Sequence, residues 1–263
     1  RKSWIEFCDS INLKTSSSEV YRKIKSLNGH SNFHQITALD DNQTLLTDIK
    51  DIANTLAISF AQNSSSSNYS TKFISYAITT NFPIDSSNND ESYNTKLTLT
   101  ELKSALRSCH GTSPGPDNIR YEMLKNLDTN ATKYILDFYN TIWLKQVFPK
   151  NWKNAIVIPV LKPGKDGTNR NNYRPISLTN CTCKLLERMI NKRLVYHIEK
   201  NNILNVNQSG FRKNRGTIDN LAILHSDIME SFSSRKDLVA VFFDIRKAYD
   251  CVWKKLIFKK LNL

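Results

Sequence analysis

The chain has 263 residues, of which 40% are hydrophobic, and a formal net charge of +13 at pH 7. That length is enough for one large domain or two modest ones, each with a proper core. It contains no run of about 18 apolar residues, which excludes a membrane-spanning helix, and we expect no membrane partner.

The positive charge is concentrated in the second half of the chain. Residues 1–100 carry 9 Lys and Arg against 10 Asp and Glu, whereas residues 145–215 carry 15 against 3. A segment this one-sided indicates a partner made of phosphates, although general solubility is the alternative. The five cysteines form no CxxC pair, so we expect reduced thiols in an intracellular protein rather than a zinc site.

Residues 1–61 predict short helices with polar joints, and the chain begins without Met, as a piece cut from a longer product would. One helix is expected between Ser18 and Gly29, and another along the apolar face of Ile49–Phe60. Residues 62–96 are rich in Ser and Asn, which predicts a flexible linker and a domain boundary.

Beyond residue 96 the pattern predicts several helices. Thr98 and Glu101 have the spacing of a capping box, and Asp117 suits the N-cap of a helix that follows the irregular segment 111–118. Two further apolar faces at helical spacing predict helices, one through residues 134–143 and one through residues 184–198.

Residues 155–176 predict a hairpin with cationic side chains. The apolar run Ala155–Leu161 contains Pro159, which favours an edge strand because proline cannot donate to the ladder. A basic turn follows, and the segment before Pro175 is extended. Lys162 and Arg174 could clamp a triphosphate from this hairpin, or the turn could be a solvated surface feature.

Two other basic features have open interpretations. Lys184, Arg188 and Lys192 recur every four residues, a row that either follows a nucleic-acid backbone or faces water. Residues 208–216 form a polar, basic loop bounded by glycine, after which Thr217 suits the N-cap of a helix. Phe211 in that loop either stacks on a base or anchors the loop from below.

Leu238–Asp244 predicts a buried strand that ends on a carboxylate. An ionised acid in that place must be paired, hydrogen-bonded or ligated, and a divalent cation is one way to satisfy it. Tyr249 and Asp250 follow at the start of a helical pattern. The alternative is that these acids only cap helices or turns.

Five segments in order resemble the reverse transcriptase of non-LTR retrotransposons, in particular the Jockey-like group. They are SPGPDNI from residue 113, PVLKPGK from 159, NYRPISLTN from 172, QSGFRKNRGT from 208 and FFDIRKAYDCVW from 242. The resemblance covers residues 97–263 and implies an α+β fold, the fingers and first palm strand of a right-hand polymerase. Residues 1–61 are similar to the connector upstream of such polymerases.

The same resemblance implies roles for individual residues. Asp244 corresponds to a catalytic aspartate that ligates two Mg²⁺ ions, and the carbonyl of Ile245 to a further metal ligand. Tyr249 corresponds to the steric gate for the sugar, and Lys162 and Arg174 to the cations that hold the incoming triphosphate. The residues that correspond to the template-binding motif are Gln208, Gly210, Phe211, Arg212 and Arg215.

The implied activity is RNA-directed DNA polymerisation, with an RNA template, a DNA primer or target and dNTPs as partners. An upstream endonuclease in the same polyprotein is also implied, as are a cytoplasmic ribonucleoprotein and reverse transcription in the nucleus. The family's second aspartate motif and its thumb would lie beyond residue 263, so we expect the isolated chain to be inactive. The alternative is a non-catalytic nucleic-acid-binding remnant or host-retained copy.

Overall fold

The computed structural model describes residues 2–11, 16, 20, 36–41, 44–79, 92–245, 248–250, 252–253 and 256–257. Over these residues it combines helices and short strands, in agreement with the α+β prediction. No described helix has the length and apolarity needed to cross a bilayer. In chain order the elements are α1 (Lys2–Ser10), β1 (Leu39–Asp41), β2 (Thr44–Leu46), α2 (Ile49–Asn63), α3 (Thr71–Thr79), α4 (Leu99–Arg107), α5 (Tyr121–Lys125), α6 (Thr129–Lys145), β3 (Ile156–Leu161), β4 (Tyr173–Leu178), α7 (Cys181–Lys200) and α8 (Thr217–Ser233).

Two compact units divide the chain. The first consists of residues 1–58 and 161–173, and the second of residues 59–160 and 174–263. The boundaries expected from the sequence at residues 61 and 96 stay predictions.

The core of the second unit is built by helices. Helix α4 contacts α5, α6 and α7. Tyr139 of α6 is completely buried and donates its hydroxyl to the carbonyl oxygen of Thr182 at 2.8 Å, so its polar end is satisfied. The buried residues of this core are Leu97, Leu102, Ala105, Cys109, Tyr121, Leu124, Tyr139, Trp152, Cys181, Cys183, Leu185, Leu186 and Met189.

A small antiparallel hairpin, β1–β2, lies in the first unit, with Leu39 opposite Leu46. The expectation of helices alone in residues 1–61 was wrong here. Each of these strands has three residues, too few for an alternating pattern to be recognised in the sequence. Leu39 is completely buried.

Most helix predictions beyond residue 48 are confirmed. Helix α2 covers the predicted face, α6 and α7 extend a few residues past the predicted ends, and β3 pairs with β4 as a two-stranded sheet. The capping box of α4 is complete, since Thr98 accepts from the Glu101 amide and Glu101 accepts from the Thr98 amide. The helix predicted between Ser18 and Gly29 lies outside the described residues.

Two predicted N-caps were wrong. Asp117 accepts a hydrogen bond from the Ile119 amide at 3.1 Å and so closes a turn, while α5 begins only at Tyr121. The left-handed Asn118, with φ of 56°, breaks the helical path between them. For α8 the N-cap is Gly216, whose amide donates to the Asp219 carboxylate at 2.6 Å.

The predicted buried strand Leu238–Asp244 was also wrong. These residues form neither helix nor strand, and Phe242 and Phe243 are 82% and 90% exposed. The physical reason is the lack of a partner. The sheets among the described residues are β1–β2 and β3–β4, and an isolated extended segment gains neither ladder hydrogen bonds nor a covered face.

The segment expected to be a flexible linker contains helix α3, which meets the C-terminal region through aromatic rings. The ring of Trp253 lies 5.3 Å from that of Phe73 and 6.0 Å from that of Tyr76, both with edge-on geometry. Edge-to-face pairs at these centroid distances are favourable. Helix α3 therefore provides a contact for the chain beyond Asp244.

Candidate nucleic-acid interface

The tip of the β3–β4 hairpin is held in shape by its own hydrogen bonds. Lys162, a predicted triphosphate ligand, donates through Nζ to the carbonyl of Asn171 at 2.8 Å. Asp166 accepts from the amide and hydroxyl of Thr168 at 3.0 and 2.7 Å, and these bonds lower the pKa of its carboxyl. The hydroxyl of Tyr173 donates to the carbonyl of Gly167 at 2.6 Å. The turn therefore has a defined backbone, which is a condition for presenting cations to a ligand.

Arg174 is the second residue of β4 and is exposed. Strand β4 pairs with β3 in a two-stranded sheet, so Arg174 lies on the predicted cationic hairpin. Lys162 and Arg174 belong to different compact units. Their joint action on one triphosphate stays a prediction.

The loop of residues 208–216 displays an aromatic ring to solvent. Phe211 is 95% exposed and has φ of 61°, a left-handed conformation that is uncommon for a bulky residue. Asn214 is left-handed as well. The interpretation of Phe211 as an anchor beneath the loop is therefore wrong. A ring held outward at a strained position beside Arg212 and Lys213 has the geometry of a stacking platform.

The arginines of this loop hold it together. The guanidinium of Arg212 donates to the Glu199 carboxylate of α7, with Nη2–Oε2 at 2.6 Å and Nε–Oε1 at 3.0 Å. Its side chain is only 9% exposed. Arg215 donates to the carbonyl of Val206, and the side-chain Nε2 of Gln208 donates to the carbonyl of Gly210 at 3.3 Å. The contacts of these two arginines in the structure are thus within the protein.

The cations of the row on α7 are exposed or partly exposed, and each of them donates a hydrogen bond to the protein. Arg188 donates to the carbonyl of Ser108, the C-cap of α4, at 3.1 Å, and Lys192 donates to the hydroxyl of Ser104 at 3.0 Å. Lys184 reaches the carbonyl of Ser113 at 3.3 Å. Cations at the C-terminus of a helix complement its unpaired carbonyls and its dipole. The row therefore fastens α7 to the end of α4 and to the loop that follows it.

Arg193 was not singled out in the sequence, yet its guanidinium donates five hydrogen bonds in the structure. It forms a bidentate pair with Glu101, with Nε–Oε1 at 2.6 Å and Nη2–Oε2 at 2.9 Å. The guanidinium, together with hydrogen bonds from the amide and hydroxyl of Thr98, lowers the pKa of the Glu101 carboxyl to about 2. It also donates to the carbonyls of the segment that enters α4, those of Tyr93, Thr95 and Lys96. No local pattern could have shown this pair, since its members are 92 residues apart.

The predicted catalytic residues lie on the surface. Asp244 is exposed, Ile245 is 74% exposed and Tyr249 is 81% exposed. Asp250, which the sequence placed at a helix start, is partly buried in a turn. The carboxylate of Asp244 is therefore not at the buried end of a strand, and its role as a metal ligand stays a prediction.

The donor set around Asp244 does not fit a complete magnesium site. A carboxylate and a backbone carbonyl are oxygen donors of the kind that Mg²⁺ prefers. Within the described ranges, however, no group of three or more His, Cys, Asp and Glu side chains could hold a metal ion. The four described cysteines are free, and Cys109, Cys181 and Cys183 are buried. Burial raises the pKa of the Cys183 thiol to about 12.

Comparisons with known proteins agree on one family. Residues 160–263 match the family model described as reverse transcriptase (RNA-dependent DNA polymerase). The chain is similar to the probable RNA-directed DNA polymerase from transposon BS of Drosophila melanogaster, with 38% identity over 150 residues, 57% of this chain and 17% of the relative. It is also similar to the RNA-directed DNA polymerase from mobile element jockey of that species, with 30% identity over 169 residues, 64% of this chain and 18% of the relative.

A more distant relative also comes from a retrotransposable element. The chain is 27% identical over 162 residues to the Pol polyprotein from type-1 retrotransposable element R2 of Popillia japonica, covering 62% of this chain and 21% of that protein. The chain thus spans about a fifth of the length of these relatives. The region matched by the family model contains the cationic hairpin tip, the 208–216 loop and Asp244. Residues 160–263 are thus similar to reverse transcriptases, and the relatives that the chain resembles come from retrotransposons and other mobile elements.

Proposed function

We propose that this chain is part of an RNA-directed DNA polymerase that copies the RNA of a non-LTR retrotransposon. The observation that carries the proposal is the match of residues 160–263 to the reverse transcriptase family. In the reaction proposed for the complete protein, the primer 3′-hydroxyl attacks the α-phosphate of a dNTP and pyrophosphate leaves. Such transfers depend mainly on positioning and on stabilisation of phosphate charge.

Each predicted residue has a place in this proposal. Lys162 and Arg174 come from a hairpin and would neutralise the triphosphate. Tyr249, with its exposed ring, would contact the sugar, and Asp244 with the carbonyl of Ile245 would supply two oxygen ligands to Mg²⁺. Among the described residues no group of three or more His, Cys, Asp and Glu side chains completes such a site.

The loop of residues 208–216 is the proposed contact with the template. Phe211 would stack on a base, because its ring is almost fully exposed. Gly210 leaves room for a close approach, since a Cβ built there meets no atom within 4 Å. Arg212 and Arg215 would act by holding the loop, because their guanidinium groups contact Glu199 and the carbonyl of Val206.

A second candidate is a non-catalytic nucleic-acid-binding protein. It is favoured by the exposed aromatic ring of Phe211 in a basic loop, which would bind nucleic acid without any catalytic group. The two candidates share an RNA-binding surface and differ in nucleotide addition. On the first, we propose an RNA template, a DNA primer and dNTPs as partners, an endonuclease elsewhere in the same polyprotein, and a nuclear site of reverse transcription.

The test is binding of this chain to a labelled RNA–DNA primer–template, measured by fluorescence anisotropy over a range of salt concentrations. We expect the affinity to fall steeply with salt, because phosphate contacts release counterions. Phe211→Ala should weaken binding by about 1–3 kcal/mol, the range for loss of one stacked base. Phe232→Ala removes another exposed ring, on α8, and should leave the affinity unchanged.

Two results would count against this proposal. One is an affinity that does not depend on salt, and the other is an equal loss in the two phenylalanine variants. Primer extension with Mg²⁺ and dNTPs separates the candidates. We expect no primer extension by this chain alone. A chain as long as its relatives should extend the primer, and Asp244→Asn should abolish that extension. The remnant hypothesis predicts that the longer chain binds RNA but adds no nucleotide.

A further inference from the structure

The β1–β2 hairpin rests on the basic turn between β3 and β4, and both belong to the first compact unit. The amide of Asp40 donates to the carbonyl of Thr168 at 2.8 Å, and Asp40 forms a parallel bridge with Asn169. The neighbouring Asp41 carboxylate accepts from Nη1 of Arg170 at 2.5 Å. An acidic hairpin far upstream in the sequence thus covers part of a turn that the family match includes.

The turn between β3 and β4 has an excess of positive charge, and Asp41 supplies a negative charge to it. The turn carries Lys162, Lys165 and Arg170 against the single acid Asp166. Asp166 is engaged by the amide and hydroxyl of Thr168. The Asp41 carboxylate is therefore brought from another part of the chain to a cationic turn. Two oxygens on a planar group make a carboxylate a close mimic of one edge of a phosphate for a guanidinium.

The ion pair is placed where a ligand could replace it. The side chains of Arg170 and Asp41 are 33% and 34% exposed, so water and ions reach both partners. Pairs with this exposure contribute little to stability. The β1–β2 hairpin should stay in place without the ion pair. The hydrogen bond from the Asp40 amide to Thr168 and the burial of Leu39 do not depend on the Asp41 carboxylate.

We propose that Arg170 is a phosphate-binding residue and that Asp41 occupies its guanidinium until a phosphate displaces the carboxylate. This rests on the proposed function, in that the phosphate would belong to a nucleotide or a nucleic acid. A terminal phosphate of a nucleotide carries more negative charge than a carboxylate and offers three oxygens to the guanidinium. A backbone phosphodiester carries a single charge, as the carboxylate does, and offers two oxygens in a fork that the guanidinium matches. The Asp41 carboxylate then acts as an internal competitor, which lowers the affinity of the turn for phosphate most strongly at low salt, where the exposed ion pair is least screened.

The test compares Asp41→Asn with Asp51→Asn, which makes the same change in net charge at an exposed position in the first turn of α2. Binding is measured to inorganic tripolyphosphate by calorimetry and to a single-stranded RNA by anisotropy. We expect Asp41→Asn to bind about three- to fivefold more tightly at low salt, the effect of removing one surface pair. The logarithm of the RNA affinity should fall more steeply with salt, by about one phosphate contact. Asp51→Asn should do neither.

Arg170→Gln tests the other partner of the ion pair. When it is combined with Asp41→Asn in a double variant, the gain in phosphate affinity should disappear. Asp41→Glu keeps the charge and should keep the original affinity, and circular dichroism of each variant reports whether the fold is retained. If a glutamine at 170 prevents folding, Arg170→Lys is used instead. It should retain only part of the gain, because it loses the planar fork.

The ligands separate the sources of phosphate. A gain for tripolyphosphate alone assigns the site to a nucleotide triphosphate, and a gain for RNA alone assigns it to a nucleic-acid backbone. If no variant binds RNA but tripolyphosphate shows the gain, the inference stands and the template-binding proposal fails. Equal affinities of Asp41→Asn and Asp51→Asn for both ligands would overturn the inference and leave the pair as a purely structural clamp.

Discussion

The contacts of Arg193 make a quantitative prediction about stability. Replacing it by Lys keeps the charge but removes the planar fork that binds both oxygens of Glu101 and three backbone carbonyls. The lowered pKa of Glu101, to which Arg193 makes the largest contribution and Thr98 a further one, would correspond to about 3 kcal/mol if the carboxylate were fully shielded from water. Because 30% of the Glu101 side chain is exposed, screening reduces this to about 1–2 kcal/mol. With the weakened carbonyl contacts, we expect Arg193→Lys to lower the free energy of unfolding by about 2–3 kcal/mol.

The pH dependence gives an independent readout. The pKa of Glu101 is lowered in the folded state from 4.5 to about 2, so its stabilisation is fully present above 4.5 and is lost as the pH falls towards 2. In Arg193→Lys the pKa should lie nearer its ordinary value, and less stability should be lost in this window.

The assay is urea unfolding followed by circular dichroism at several pH values between 7 and 2.5. Arg188→Lys is the matched control, since Arg188 makes one hydrogen bond, to the carbonyl of Ser108, that a lysine could retain. Equal destabilisation by the two substitutions, or an unchanged loss of stability between pH 5 and 2.5 in Arg193→Lys, would refute the reasoning.

Two further predictions concern the loops around α7. In Gly115→Ala the new Cβ would lie 2.5 Å from the backbone nitrogen and the Oδ1 of Asn180. The backbone must therefore shift, and thermal or urea unfolding should show a free energy of unfolding lower by about 2–3 kcal/mol. Gly210→Ala is the control, since its Cβ meets open space, and it should unfold like the original chain. Arg212 lowers the pKa of Glu199 by a hydrogen bond, so this contact should be lost as the pH falls below the ordinary range of a glutamate. Glu199→Gln should accelerate hydrogen exchange in residues 208–216 at neutral pH, and unchanged exchange would contradict the role assigned to the pair.

Local signals accounted for much of the fold. The apolar periodicity of residues 134–143 and 184–198 predicted α6 and α7, and the capping box at Thr98 predicted the start of α4, because each depends on neighbours within a few residues. Pro159 and the basic turn predicted the β3–β4 hairpin for the same reason.

Long-range pairing accounts for what could not be predicted. A run such as Leu238–Phe243 has strand composition, but a strand forms only where another edge accepts its hydrogen bonds. Neither the pair of Arg193 with Glu101 nor that of Arg170 with Asp41 has a sequence signature, since the partners are 92 and 129 residues apart. Within the candidate interface, the sequence indicated the residue types and the loops, while exposure and partners required the structure.

The fastening of α7 to α4 affects how mutational scans of this protein must be interpreted. Lys184, Arg188, Lys192 and Arg193 all belong to the basic segment, yet each donates to a carbonyl, a hydroxyl or a carboxylate of the protein itself. Alanine at these positions would weaken the packing of α7 on α4, and any loss of RNA affinity could then follow from the altered fold. A basic residue whose loss weakens binding in such a scan is evidence for contact with RNA only when the melting temperature of the variant is unchanged.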